Sequence, residues 1–164
     1  MLYVITGPAG VGKSTISNAL SLKLDRSVVI EGDELYHQIR KPYIAPWKEG
    51  NHLDVMYEAS EKLIDLYQSY KYDIIYNYIV TEEMIKNFKE KYKDVKFICL
   101  LTSEEELLKR DEQRPLDSRM GERCKVLLES FKNQEFVKDY ILDTTNMTVD
   151  EVIEEFLEND KYLY

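Results

Sequence analysis

The first chemistry that the sequence suggests lies in a glycine-rich segment near its beginning. Residues 7–14 read Gly-Pro-Ala-Gly-Val-Gly-Lys-Ser and match the pattern G-x-x-x-x-G-K-[ST]. In this pattern the glycines let backbone N–H groups turn inward around phosphate oxygens, and the lysine reaches the outer phosphates. The serine hydroxyl is a ligand for Mg²⁺, so Ser14 is the candidate metal ligand. The candidate nucleotide-binding residues here are Gly7, Pro8, Ala9, Gly10, Val11, Gly12, Lys13, Ser14 and Thr15.

Two carboxylates follow the second apolar run of the chain. Glu31 and Asp33 stand on either side of Gly32. Next to a phosphate loop, such a carboxylate can accept the proton of a substrate hydroxyl or hold Mg²⁺ through water. We take Asp33 as the main candidate for the base and for a substrate contact, and Glu31 as the alternative. A lone aspartate after a strand also serves as a turn or helix cap.

Arginines are concentrated in one polar segment. Four of the six arginines of the chain are Arg110, Arg114, Arg119 and Arg123. Arginine suits a bidentate grip on phosphate and stacking on a base better than lysine does. With Pro115 and Gly121 in the same stretch, residues 110–123 are predicted to form a lid that closes over phosphates. A charged surface helix is the alternative.

A third group of candidates lies between residues 36 and 52, which hold the only tryptophan and both histidines. Trp47 could stack on a sugar or a base, Arg40 could grip a carboxylate or a phosphate, and His37 and His52 could bind hydroxyls. The alternative is structural, with the tryptophan as a packing anchor and the histidines as ordinary surface or core residues. We place an acceptor-binding region at about residues 34–70.

The elements that must position these residues follow from hydropathy. Apolar runs of strand length alternate with segments of helical period, which predicts βαβ units and a mostly parallel sheet with helices on both faces. Ligands of such sheets bind outside the carboxyl ends of the strands. The predicted strands are Leu2–Thr6, Ser27–Glu31, Asp73–Val80, Val95–Leu101 and Tyr140–Leu142.

Length and charge limit the class of protein. A chain of 164 residues without a repeat or a linker indicates one domain, residues 1–164. A net charge of −9 argues against general binding of nucleic acid or membrane. Cys99 and Cys124 stand alone, which indicates reduced thiols. Without a signal peptide or a membrane-spanning run, we expect a cytoplasmic protein. Its expected oligomeric state is a monomer or a homodimer.

These motifs together resemble small P-loop kinases. The resemblance rests on residues 7–14, on Glu31-Gly32-Asp33, on the arginine segment and on the turn Asp143-Thr144-Thr145-Asn146 before a final helix. It runs through nearly the whole chain and points to the nucleoside-monophosphate-kinase-like group, which includes gluconate kinase, shikimate kinase and chloramphenicol phosphotransferase.

The resemblance implies a three-layer α/β P-loop NTPase fold with a five-stranded parallel sheet in the order 2-3-1-4-5. It also implies ATP, Mg²⁺ and transfer of a phosphoryl group to a small hydroxylated acceptor, with Lys13 catalytic. By the same resemblance Arg110 would stack on adenine, Arg114 or Arg119 would act from the lid, and Thr145 and Asn146 would lie beside the adenine.

One departure from this group leaves the function open. The third predicted strand carries Asn77, where several relatives have an aspartate or a glycine run. Asn77 cannot act as a base, so it is a candidate substrate contact and Asp33 remains the main carboxylate. A degenerate, non-catalytic ATP-binding protein is therefore an alternative. A kinase that acts on a macromolecule is another, although the acidic charge and the lack of an appended domain disfavour it. The identity of the acceptor stays open.

Overall fold

Five parallel strands form a single sheet. The computed structural model describes residues 1–116 and 119–164. The strands are β1 (Leu2–Thr6), β2 (Ser27–Glu31), β3 (Asp73–Asn77), β4 (Val95–Leu101) and β5 (Ile141–Asp143). Their order is β2-β3-β1-β4-β5 with all pairs parallel, which confirms the predicted fold class and strand order.

Helices cover both faces of this sheet. They are α1 (Lys13–Ser21), α2 (Gly32–His37), α3 (His52–Ser69), α4 (Glu82–Lys91), α5 (Glu104–Glu112), α6 (Glu122–Lys132) and α7 (Val149–Glu158), with short 3₁₀ helices at Glu135–Tyr140 and Asp160–Tyr162. The central strands β1 and β4 are buried along their whole length, as expected for a parallel sheet with two covered faces. In the part of the chain that the structure describes, no helix combines the length and apolarity that a membrane span requires.

The predicted third strand, Asp73–Val80, was three residues too long. The strand ends at Asn77, because the ring of Tyr78 packs against Gly32, where a Cβ would lie only 2.6 Å from the ring. The N–H group of Val80 then donates a hydrogen bond to the side-chain Oγ1 of Thr6 (3.1 Å) and not to a backbone carbonyl of β1. Asn77 thereby becomes the last residue of β3, at the sheet edge where β1 enters the phosphate loop.

A buried lysine caps the C-terminal end of α7. Lys96 on β4 is only 5% exposed. Its Nζ donates hydrogen bonds to the carbonyl oxygens of Phe156 (3.0 Å), Leu157 (2.5 Å) and Asn159 (3.5 Å). The last carbonyls of a helix lack partners within the helix, and a cation there also interacts favourably with the helix dipole. Lys96 therefore fixes α7 to the sheet.

We expect Lys96→Met to lower the free energy of unfolding by about 2–3 kcal/mol, because methionine keeps the apolar stem but leaves buried carbonyls without a donor. Urea denaturation measures the loss. Lys93→Met removes a charge from an exposed lysine close by and should change stability far less. Equal effects of the two substitutions would contradict the capping role.

Candidate active site

The glycine-rich loop between β1 and α1 has the conformation that its sequence predicts. Gly7, Gly10 and Gly12 have φ angles of 139°, 85° and 109°, which side-chain-bearing residues rarely adopt. A Cβ at Gly7 would lie 2.3 Å from the carbonyl oxygen of Leu100, so this position requires glycine. Gly12 caps α1 without a side chain, and the helix N-terminus therefore stays available to an anion.

Lys13 folds back over this loop. Its Nζ donates hydrogen bonds to the carbonyl oxygens of Gly7 (3.0 Å) and Pro8 (3.1 Å). Burial lowers the pKa of Lys13 to about 8, with Asp33 opposing and Arg114 reinforcing that change. The charges of Asp33 and Arg114 therefore lie close enough to Lys13 to change its pKa. Gly7 and Pro8 form the base of the loop and do not line the cavity that the rest of the loop borders.

Three polar side chains meet at the start of α1. The sheet register pairs Glu31 with Asn77. The hydroxyl of Ser14 donates a hydrogen bond to Oε2 of Glu31 (3.0 Å) and accepts one from Nδ2 of Asn77 (3.2 Å). A serine hydroxyl has two lone pairs, so one remains for a metal ion. Glu31 therefore lies against the candidate metal ligand Ser14. The sequence had left open whether Glu31 or Asp33 is the base.

The donors at this place fit Mg²⁺, which prefers oxygen ligands and keeps several of its own waters. Within residues 1–116 and 119–164, no group of three or more His, Cys, Asp or Glu side chains could hold a metal ion by itself. A magnesium ion would be held here by Ser14, with phosphates and water completing its coordination.

A cavity of about 730 Å³ opens outside the carboxyl ends of the strands. Of the predicted site residues, it is lined by residues 9–15, Asp33, Trp47, Asn77, Arg110 and Arg114. Asp33 is exposed and belongs to the first turn of α2. The structure thus places the phosphate loop, the candidate base and two arginines around one space.

Two of the predicted acceptor contacts lie elsewhere. His37 and Arg40 are exposed and do not line this cavity. The ring of His37 stacks on Tyr43, with 5.9 Å between the ring centroids. His52 is buried, and its Nε2 is 2.9 Å from the carbonyl oxygen of Pro42. The contacts of both histidines are therefore with the segment that precedes α3.

The turn after β5 is also used structurally. The Thr145 hydroxyl accepts a hydrogen bond from the Ser103 N–H (2.8 Å) and donates one to Oδ1 of Asp143 (2.5 Å). Thr145 and the exposed Asn146 do not line the cavity, whereas the next residue, Met147, does. The sequence analysis did not identify Met147 as part of an apolar wall of the cavity. The start of an amphipathic helix after the turn could have indicated it.

The arginine segment spans the end of α5 and the start of α6. Arg110 donates hydrogen bonds to the carbonyl oxygen of Val11 (2.9 Å) and to Oε1 of Glu106 (2.9 Å), which ties α5 to the phosphate loop. Arg119 donates to the carbonyl oxygen of Arg114 (2.8 Å) and lies outside the cavity lining. Asp117 and Ser118, inside the predicted lid 110–123, lie outside the described residues.

A buried carboxylate organises this segment. Asp111 is 3% exposed, and its oxygens accept hydrogen bonds from the N–H groups of Met120 (3.0 Å) and Gly121 (2.8 Å). The Arg114 guanidinium lies 3.4 Å away. Burial by itself raises the pKa of Asp111, but these donors and the Cys124 thiol outweigh it, so the pKa lies below its ordinary value. Asp111 thus holds the entry to α6.

The lowered pKa makes a pH-dependent contribution to stability. The ionised carboxylate stabilises the fold above its unfolded pKa of about 3.9, and this stabilisation disappears as the pH falls through the lower folded value. We expect Asp111→Asn to cost about 2 kcal/mol at neutral pH and progressively less in acid. Urea unfolding over a pH series measures this, with Glu112→Gln, on the exposed neighbour, as the control. A cost for Asp111→Asn that stays constant with pH would contradict the assignment.

Comparison with known proteins agrees with this architecture. The AAA domain family model matches residues 4–127. The structure of the Deinococcus radiodurans tunicamycin resistance protein has a TM-score of 0.68 at 20% identity, over 94% of this chain and 92% of that one. No curated protein sequence matches significantly.

Two kinases are similar in fold. A gluconokinase from Sinorhizobium meliloti 1021 has a TM-score of 0.68 at 18% identity, over 94% of this chain and 88% of that one. Shikimate kinase from Aquifex aeolicus vf5 has a TM-score of 0.64 at 22% identity, over 96% of this chain and 94% of that one. The resemblance drawn from the sequence motifs is thereby confirmed at the level of the fold.

Proposed function

Because the chain belongs to the AAA domain family of P-loop proteins, we propose that it is a kinase that transfers the γ-phosphoryl group of ATP to a hydroxyl group of a small acceptor. The observation that carries this proposal is that the phosphate loop and Asp33 line the same cavity. A volume of about 730 Å³ suits a nucleotide together with part of a second small molecule. We also propose that residues 1–164 act as one domain, with the acceptor region at 34–70 and the lid at 110–123.

The nucleotide would be bound by its phosphates and its base. Backbone N–H groups of residues 7–15 and the N-terminus of α1 surround the phosphates. Arg110, which is hydrogen-bonded to the loop, and the wall formed by Met147 would enclose the adenine, beside the turn that holds Thr145 and Asn146. The base would then lie on the α7 side of the cavity.

Magnesium bound at Ser14 would supply positive charge to the phosphates during transfer. Glu31 supports this role, because it accepts the hydrogen bond of the Ser14 hydroxyl and so leaves a lone pair of that oxygen to face the ion. Asn77 donates to the same oxygen and fixes its position. We therefore assign Glu31 and Asn77 to the metal side of the reaction and Asp33 to the acceptor side.

Asp33 would act on the attacking hydroxyl. As the acceptor oxygen forms a bond to the γ-phosphorus, the bond from that phosphorus to the bridging oxygen breaks and ADP leaves with the electron pair. The hydroxyl proton passes to the Asp33 carboxylate. Lys13 and Arg114, which interact electrostatically in the cavity, would stabilise the charge on the group in transit.

An acceptor panel tests the reaction. The protein would be incubated with ATP, Mg²⁺ and, in turn, gluconate, shikimate, nucleosides, nucleoside monophosphates and a short RNA with a free 5′-hydroxyl. We expect ADP release that depends on one class of small acceptor and that is lost in Lys13→Ala. ADP release with the RNA alone would support the macromolecular alternative.

A second candidate is an ATP-binding protein without catalysis, which the asparagine at position 77 favours. It predicts calorimetric binding of ATP and no acceptor-dependent ADP release with any member of the panel. The intact polar contacts around Ser14 and the exposed carboxylate of Asp33 favour the kinase.

A further inference from the structure

The position of the Asp33 carboxylate depends on a short helix. α2 contains six residues, and Glu31, which precedes it, makes no side-chain hydrogen bond that would cap it. Asp33 lies in the first turn of this helix and is exposed. A base must lie within hydrogen-bond reach of the proton that it takes, so a small shift of this turn would carry the carboxylate away from the acceptor. The start of α2 therefore needs another contact to hold it.

The ring of Tyr78 supplies such a contact. A Cβ at Gly32, the first residue of α2, would lie 2.6 Å from Cδ2 and 2.7 Å from Cγ of this ring. Both distances are well below a normal carbon–carbon contact, so the ring and the helix start can touch only because residue 32 is glycine. The Tyr57 ring of α3 also meets the Tyr78 ring, nearly at a right angle and with 6.2 Å between the centroids. Tyr78 is thus packed against both helices.

The backbone that carries this ring is fixed to β1. The N–H group of Tyr78 donates a hydrogen bond to the carbonyl oxygen of Ile5 (3.3 Å), and the N–H group of Val80 donates to Oγ1 of Thr6 (3.1 Å). β1 ends at Thr6 and leads directly into the phosphate loop. Tyr78 therefore connects the strand that positions the phosphates with the helix that carries the candidate base.

Tyr78 acts by its shape and not by its charge. Asp33 and Tyr78 line the same cavity. Burial, and then the charge of Asp33, raise the pKa of Tyr78, so its phenol stays neutral at physiological pH. Tyr78 is therefore unsuited to take the proton of the acceptor, and the carboxylate beside it keeps that role.

We propose that Tyr78 is a positioning residue, whose ring holds the first turn of α2 through Gly32 and so keeps the Asp33 carboxylate within reach of the acceptor hydroxyl. The inference rests on the proposed kinase function for the role of Asp33 as the base. The placement of Asp33 by the ring does not depend on turnover.

Two substitutions disturb this contact from opposite sides. Tyr78→Ala removes the ring, and Gly32→Ala adds the Cβ that the ring excludes. Misplacing a reacting group by about 1 Å is costly, so each should lower kcat by about 10- to 100-fold, with the calorimetric affinity for MgATP unchanged. Tyr78→Phe keeps the ring and should retain most of the wild-type kcat. Thermal unfolding checks the fold, and Gly32→Ala, which deletes no atoms, decides the result if Tyr78→Ala does not fold.

A second background separates positioning from a merely structural role. In Asp33→Asn, the further substitution Tyr78→Ala should lower kcat by less than about 3-fold, because a residue that acts only through Asp33 has nothing left to position. An equal loss in both backgrounds would overturn the proposal. Tyr67→Ala is the matched control, since Tyr67 of α3 forms a similar edge-to-face pair with Tyr72 (6.1 Å) but does not line the cavity. It should leave kcat at the wild-type value.

Crystal structures of the wild type, Tyr78→Phe, Tyr78→Ala and Gly32→Ala separate this inference from the proposed function. We expect the Asp33 carboxylate to move by about 1 Å or more in the two alanine variants and to stay in place in Tyr78→Phe. A carboxylate that does not move overturns the positioning role, even if the acceptor panel supports the kinase. A carboxylate that moves, in a protein that releases no ADP with any acceptor, supports the positioning role and contradicts the kinase.

Discussion

Asp33→Asn is expected to lower kcat by about two to four powers of ten, with the affinity for ATP and Mg²⁺ close to that of wild type. Asp33 lines the cavity, is exposed and lies close enough to Lys13 to influence its pKa. An acceptor hydroxyl must lose its proton during transfer, and a positioned carboxylate typically provides an acceleration of that size. Asparagine keeps the shape of the side chain but cannot take the proton.

Glu31→Gln is the informative comparison. Since Glu31 accepts a hydrogen bond from the Ser14 hydroxyl, its substitution should raise the Mg²⁺ concentration needed for half-maximal rate more than it lowers kcat at saturating Mg²⁺. Glu34→Gln, on an exposed neighbour, is the control for loss of charge in α2. A normal kcat in Asp33→Asn with a crippled Glu31→Gln would exchange the two roles. Normal rates in both would leave positioning and Mg²⁺ as the whole of catalysis.

Lys13→Ala should weaken the binding of MgATP by about 100-fold or more and leave the fold intact. The Nζ group lies over the phosphate loop and donates only to loop carbonyls, so its loss removes a charge from the phosphate site without opening the core. Burial lowers the pKa of Lys13 to about 8, so the fold disfavours the charged form and loss of this charge should not destabilise it. Calorimetry measures the affinity, and thermal unfolding checks the fold.

Lys23→Ala provides the matched control, because Lys23 forms an exposed ion pair with Asp150 just beyond α1. It should bind MgATP as wild type does. Unchanged affinity in Lys13→Ala would overturn the assignment of the phosphate loop, whereas a weakened Lys23→Ala would point to a general effect of charge.

Features that depend only on neighbouring residues could be predicted from the sequence. The phosphate loop could be predicted because the glycine conformations and the following helix are properties of one short segment. The strand order followed from the resemblance, and the bounds of β1, β2 and β4 followed from short, mostly apolar runs. Strand ends were harder, because the end of β3 depends on Tyr78 packing against Gly32, a residue far away in the chain.

The contacts between polar residues of the site depend on how distant segments pack together. Ser14, Glu31 and Asn77 come from three different elements, and the register of β2 with β3 brings the last two together. Hydropathy shows which face of a strand is buried, but it does not show which side chains across a sheet or a cleft share hydrogen bonds.

The same reason explains the arginine segment and the acceptor region. The sequence indicated that arginines cluster there, yet the packing of α5 and α6 turned Arg114 and Arg123 to the cavity and left Arg119 outside. No local pattern distinguishes Asp111 from an ordinary helix charge, yet the fold buries it against the backbone N–H of Gly121. Contacts between segments distant in sequence depend on the geometry of packing, which no local pattern of residue types specifies.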